Sequence, residues 1–159
     1  MVTVAAVDQK LLTFSLGGEG YGISILKVKE IIGMLSITQV PRTPEFIKGV
    51  INLRGKIIPI MDLRIKFGMD EKAYNERTCI IVIEVNIQGS ERLLGVVVDT
   101  VSEVINISAE EIEPAPEYGS KAEHNLISGM GKVKDRVVII LDIEEVVFCD
   151  EMIRMLDNL

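Results

Sequence analysis

The sequence predicts a mostly β protein organised as two small barrels packed together. First, Val and Ile dominate an apolar fraction of 48%, whereas aromatic residues are only 4% of the chain; that balance suits sheets packed by β-branched side chains. Second, short apolar runs recur along the chain and are separated by turn residues, as in all-β barrels. Third, sustained helical spacing is confined to the end, over residues 142–157. A chain of 159 residues without a long linker fits one unit, 10–159, made of two lobes sharing a core. The boundary is expected near Asn75 to Thr78, giving lobes of roughly 10–77 and 78–145. A groove between two packed lobes is a natural place for a partner.

Residues from Met1 to about Gln9 show no period and are expected to fray. Leu12, Phe14 and Leu16 alternate with Thr13 and Ser15, which predicts a half-buried strand. Gly17-Gly18-Glu19-Gly20 then turns the chain, and Tyr21, Ile23 and Ile25 resume the alternation. Val28, Ile31 and Ile32 have helical spacing, so a short helical turn feeding a strand is expected. Val40 to Pro44 reads as a loop, with Thr43 capping the next turn, Pro44 at its first position and Gly49 ending it.

Val50-Ile51 and Ile57-Ile58 are joined by Asn52-Leu53-Arg54-Gly55-Lys56, a hairpin that lifts Arg54 and Lys56 toward solvent. Pro59 cannot donate to a ladder and marks an edge strand or a bulge. Asp62 opens a short turn carrying Leu63, Ile65 and Phe67, closed by Gly68. Thr78 to Val85 is a near-continuous apolar strand covered on both faces. Gln88-Gly89-Ser90 turns it toward its partner, Leu93 to Val98, and Val101, Ile105 and Ile107 continue in a further strand. After the acidic, proline-bearing stretch Glu110 to Glu117 and a loop at Lys121 to Asn125, a last hairpin runs from Ile127 to Leu141 and turns at Lys134-Asp135. Asp142 with Glu145 is a capping pattern. Ile143, Val146, Val147, Ile153 and Leu156 then form the apolar stripe of a closing helix, broken near Cys149-Asp150 and docked on the barrels.

The net charge of −7 argues against general nucleic-acid binding, which needs clustered Lys and Arg. No apolar run reaches the ~20 residues of a membrane helix, and the start MVTVAAVDQK lacks the basic and apolar regions of a secretory signal. Cys79 and Cys149 fit neither a metal pair nor a redox motif and are expected as buried thiols in a reducing, cytoplasmic setting.

The glycines at 17, 18 and 20 miss the spacing of a nucleotide fingerprint at Ile23, and Gly129-Met130-Gly131-Lys132 is no phosphate loop. His124, the only histidine, sits in a polar loop without a nucleophile motif. Glu110, Glu111, Glu113 and Glu117 match no calcium loop and are expected as a solvated face. No enzyme, cofactor or metal site is expected.

The run F-I-K-G-V-I-N-L-R-G-K-I-I-P-I-M-D-L-R, from Phe46 to Arg64, resembles the signature of CheW-like domains, found in bacterial chemotaxis coupling proteins and chemotaxis histidine kinases. Further matching blocks are Tyr21 to Ile31, Gly95 to Val104 and Pro114 to Tyr118, so the likeness covers about Leu12 to Leu156. The resemblance implies two five-stranded, SH3-like barrels and a non-enzymatic adaptor. Such an adaptor couples chemoreceptor cytoplasmic tips to the chemotaxis histidine kinase CheA, with other coupling proteins in rings, at membrane-bound receptor arrays. It assigns Val28, Glu30, Gly49, Arg54 and Val104 to the receptor side, and Glu19, Lys48, Glu117 and Tyr118 to kinase or ring contacts. Glu113 departs from the pattern, standing where relatives often carry a basic residue.

Two other readings stay open at this stage. The chain could be a CheW-like regulatory module of a larger kinase or receiver-domain protein, against which Met1 and the short tail speak. It could also be a ligand-binding or catalytic barrel, which a deep polar pocket would favour.

Overall fold

Strand-forming runs and tight turns give eleven strands in the computed structural model, which describes residues 8–116 and 126–159. Its order is β1 (Gln9–Leu16), β2 (Glu19–Ser24), β3 (Val28–Gly33), β4 (Ile47–Leu53), β5 (Lys56–Asp62), β6 (Cys79–Ile87), β7 (Ser90–Val98), β8 (Thr100–Ile107), β9 (Ile112–Glu113), β10 (Ile127–Val133) and β11 (Arg136–Leu141). The helices are α1 (Leu63–Lys66), α2 (Ile143–Val147) and α3 (Asp150–Asp157). No described helix is long and apolar enough to cross a membrane.

The strands form two sheets, one in the order β8-β1-β2-β11-β10-β9 and one in the order β3-β6-β7-β5-β4. This corrects the expected division at 77/78. β6 and β7 complete the sheet begun by β3, β4 and β5, while β1 and β2 pair with β8 and β11 from the far end of the chain. The count also differs from five and five, because the two-residue β9 gives the terminal sheet a sixth strand.

Both sheets curl. Thr38, five residues beyond β3, exchanges backbone hydrogen bonds of 2.8 and 2.9 Å with Val50 of β4, bringing the two edges of the five-stranded sheet together. In the other sheet, Leu11, Ile107 and Ile140 close a small separate core. The main core is continuous across both sheets. It joins Leu12, Phe14, Leu16 and Ile23 to Ile51, Ile60, Ile81, Val96 and the helical residues Val146, Met152 and Leu156. Each of these large side chains contributes about 1.5–3 kcal/mol by its burial. Docking of the closing helix on the sheets is therefore observed, with the expected break at Cys149.

Asp99 ties the sheets at their periphery. Its Oδ2 accepts the Gly17 amide at 2.9 Å and Arg64 Nη1 at 2.8 Å, joining the β1–β2 turn to α1.

Local expectations fared unevenly. Residues 11–14 are buried without alternation, because the small core covers the face that solvent was expected to cover. Ile25–Lys27 is a short 3-10 turn, and Val28 to Gly33 is strand. Pro59 lies on β5, an interior strand. It pairs there with Val50 on one side only, one residue before the parallel ladder to β7 begins at Ile60, so its missing N–H costs no ladder bond on the β7 side. Asp62 caps α1 through Arg64 N at 2.9 Å, and Gly68 follows with φ +79°, as read from the sequence.

Candidate functional site

The β4–β5 connection is a two-residue turn, Arg54-Gly55, with φ values of +51° and +89°. This pair of left-handed residues matches the twist of the flanking strands. Asn52 Oδ1 accepts the Gly55 amide at 2.8 Å and braces the turn. Arg54 is thereby carried off the sheet, and its Nη2 pairs with Glu30 Oε1 on β3.

Glu30 and Arg54 belong to opposite ends of the strand order, so the curl of the sheet is what brings them together. The arginine side chain is 69% exposed and the glutamate 32%, so the pair contributes at most about 1 kcal/mol to folding. Its chemistry is that of a planar donor held in a fixed direction, able to bond a carboxylate or the carbonyls of a docked helix. A shallow concavity of about 310 Å³ lies beside it, with Leu53, Ile58, Val82 and Leu93 in its wall.

Gly49 sits within β4, so it does not end a helix. At φ +140° it marks the register shift between Ile47 and Gly49. A Cβ there would stand 2.7 Å from the Thr38 carbonyl carbon and closer still to its oxygen. The glycine is buried, and its role in the fold is to let Thr38 reach Val50.

Val28 and Val104 lie on edge strands of different sheets. Val28, at the start of edge strand β3, is half-buried against the main core. Val104 is on β8, the edge of the other sheet, opposite Leu12, which in turn pairs with Ile23. Leu12 and Ile23 are buried, whereas Val104 at the end of that row is 47% exposed.

The second set of assigned residues is dispersed. Glu19 opens β2 and is exposed. Lys48 lies on β4, where its Nζ pairs with Glu71 at 2.7 Å and rests 6.0 Å from the Tyr74 ring centroid. Hydrogen bonding from Lys48, reinforced by its charge, holds the Glu71 carboxyl below the usual carboxylate range. Tyr74 donates to the buried Asp62 carboxylate at 2.8 Å; burial first and this bond second push its phenol upward. Glu117 and Tyr118 lie outside the described residues, as does His124. Glu113 pairs with Lys132 at 2.7 Å.

Cys79 and Cys149 are free and half-buried, and burial raises the Cys149 thiol. Among the described residues no group of three or more His, Cys, Asp or Glu side chains could hold a metal ion. The pairings that Glu30, Glu71 and Asp62 make with Arg54, Lys48 and Tyr74 had no local signal in the sequence, since they span 24, 23 and 12 positions.

A family model described as the CheW-like domain matches residues 10–148. The chain is 45% identical over 152 residues to the chemotaxis protein CheW of Klebsiella aerogenes, covering 96% of this chain and 89% of that protein. It is 38% identical over 137 residues to the chemotaxis protein CheW of Helicobacter pylori, covering 86% and 80%. The crystal structure of the scaffolding protein TtCheW from Thermoanaerobacter tengcongensis superposes with a TM-score of 0.77 at 39% identity, covering 90% of this chain and 94% of that one. With the fold, the family model and these relatives in agreement, the chain belongs to the CheW-like family and is a non-enzymatic chemotaxis scaffold.

Proposed function

We propose that this scaffold couples the cytoplasmic tip of a chemoreceptor to the chemotaxis histidine kinase in the cytoplasm, at membrane-bound arrays. The observation that carries the reading is the placement of half-buried Val28 beside the main core and of exposed Val104 opposite the core residue Leu12, one from each sheet, with Glu30 on the same strand as Val28 and held by Arg54. A helical partner laid against these valines would bury its apolar side chains there, while the charges set its register. Gly49 acts in this reading through the closure of the sheet. Lys48 and Glu19 supply charged contacts for the kinase regulatory domain, and Glu117 and Tyr118 supply further kinase or ring contacts.

The test is reconstitution of this protein with a kinase and a receptor cytoplasmic fragment that includes the signalling tip. Receptor-dependent kinase control is expected with the wild-type protein. Absence of binding to both partners would overturn the reading.

A further inference from the structure

The ladder between β1 and β8 slips at one place. Leu12 pairs with Val104 and Phe14 with Val101, so Ser102 and Glu103 together face the single residue Thr13. Two residues opposite one make a bulge, which leaves backbone groups without their usual ladder partners. Thr13 makes up this deficit with its side chain. Its hydroxyl donates to the Glu103 carbonyl at 2.7 Å and accepts from the Glu103 amide at 3.2 Å.

Thr13 is 2% exposed, so water does not readily substitute for the hydroxyl. A valine of the same shape would remove both of these bonds to the Glu103 backbone. The Glu103 side chain, by contrast, points to solvent, 3.8 Å from Arg136. The buried hydroxyl therefore fixes the backbone of the residue that immediately precedes Val104.

We propose that Thr13 is a positioning residue for the partner-binding edge: its hydroxyl locks the bulge in β8 and so sets how Val104 is presented to the receptor tip. This rests on the assignment of Val104 to the receptor side. It adds a residue that is itself buried and meets no partner. Binding should then depend on the hydroxyl at position 13 and not merely on the volume of the side chain.

Three measurements test it. In the wild-type protein the Glu103 amide should be protected in hydrogen exchange followed by NMR; an unprotected Glu103 amide would overturn the proposal outright. Thr13→Ser, which keeps the hydroxyl, should bind a receptor cytoplasmic fragment within about twofold of wild type, whereas Thr13→Val should bind about tenfold more weakly. Both should keep wild-type affinity for the kinase. Thr13→Val binding the receptor fragment like wild type, or Thr13→Ser failing to rescue, would overturn the proposal.

Loss of both partners together with the folding transition in Thr13→Val would make Thr13 a stability residue only and also overturn it. Val104→Asp, measured in parallel, separates the two levels. If it retains full receptor affinity, the assignment of Val104 fails. If it loses affinity while Thr13→Val does not, only the role of Thr13 fails.

Discussion

Gly49→Ala should unfold this protein at a markedly lower temperature, and the structure sets the size of the effect. The new Cβ would stand 2.7 Å from the Thr38 carbonyl carbon, backbone against backbone, with no flexible side chain to give way. Holding alanine at φ +140° costs about 1–3 kcal/mol. Thr38 must also withdraw to relieve the contact, so the 2.8 and 2.9 Å bonds to Val50 are lost, each at about 1 kcal/mol net.

Strain and lost bonds together give roughly 3–5 kcal/mol, and at about 2–4 °C per kcal/mol for a chain of this size the melting temperature should drop by roughly 10 °C. Calorimetry on wild type, Gly49→Ala and a control, Gly33→Ala, measures this. A Cβ at Gly33 meets nothing within 4 Å, so the control should melt within about 2 °C of wild type, apart from small propensity effects. Gly49→Ala melting with the control, but failing to bind a receptor fragment, would refute the closure argument and return Gly49 to a direct partner contact.

Val104→Asp should fold normally, because the side chain is 47% exposed. It should weaken receptor-fragment binding by at least about tenfold, since a carboxylate buried against an apolar helix lacks a partner; isothermal titration with receptor fragment and with kinase reads both. Arg54→Ala should change folding stability by no more than about 1 kcal/mol yet weaken receptor-dependent kinase control in the reconstituted assay, with Arg54→Lys restoring it only in part because the planar fork is lost.

Tyr74→Phe tests the bond to Asp62. It should cost about 1–3 kcal/mol at neutral pH by leaving a buried carboxylate oxygen without its donor. The phenol is raised in the folded state, so its stabilisation is complete below its unfolded value near 10 and is lost as pH rises through the folded value. Denaturant titrations above pH ~10 should therefore show a shallower alkaline loss of stability in Tyr74→Phe than in wild type.

The sequence disclosed features whose causes are local. The Arg54-Gly55 turn, the Asp62 cap, the closing Gly68 and the Asp142–Glu145 cap were all legible, because each is decided by neighbours within a few positions. The misreadings share the opposite property. Gly49 resembled a helix end because Thr43 and Pro44 precede it, yet its φ is required by the approach of Thr38. Pro59 resembled an edge residue because the side of β5 on which pairing lapses depends on where the ladder to β7 begins. The lobe boundary was misplaced because chain order does not show that β1 and β2 pair with β8 and β11. In the candidate site, resemblance supplied Glu30 and Arg54 separately, and only the curl of the sheet joins them. Thr13 carried no sequence signal, since its hydroxyl serves a residue 90 positions away.

The pairing of the first strands with late ones has a consequence for biosynthesis. A nascent chain emerging from the ribosome can assemble β3 to β7 as soon as residue 98 is free, because that sheet is contiguous in sequence. The β1–β2 hairpin must wait. β8 follows soon after, but the parallel neighbour β11 arrives only with residues 136–141. Until then the apolar side chains of Leu12, Phe14, Leu16 and Ile23 have only part of their final cover. Waiting edges of this kind are where strands find wrong partners, so premature termination between residues 107 and 136 should yield products that aggregate, even though most of the five-stranded sheet's own pairing is already made.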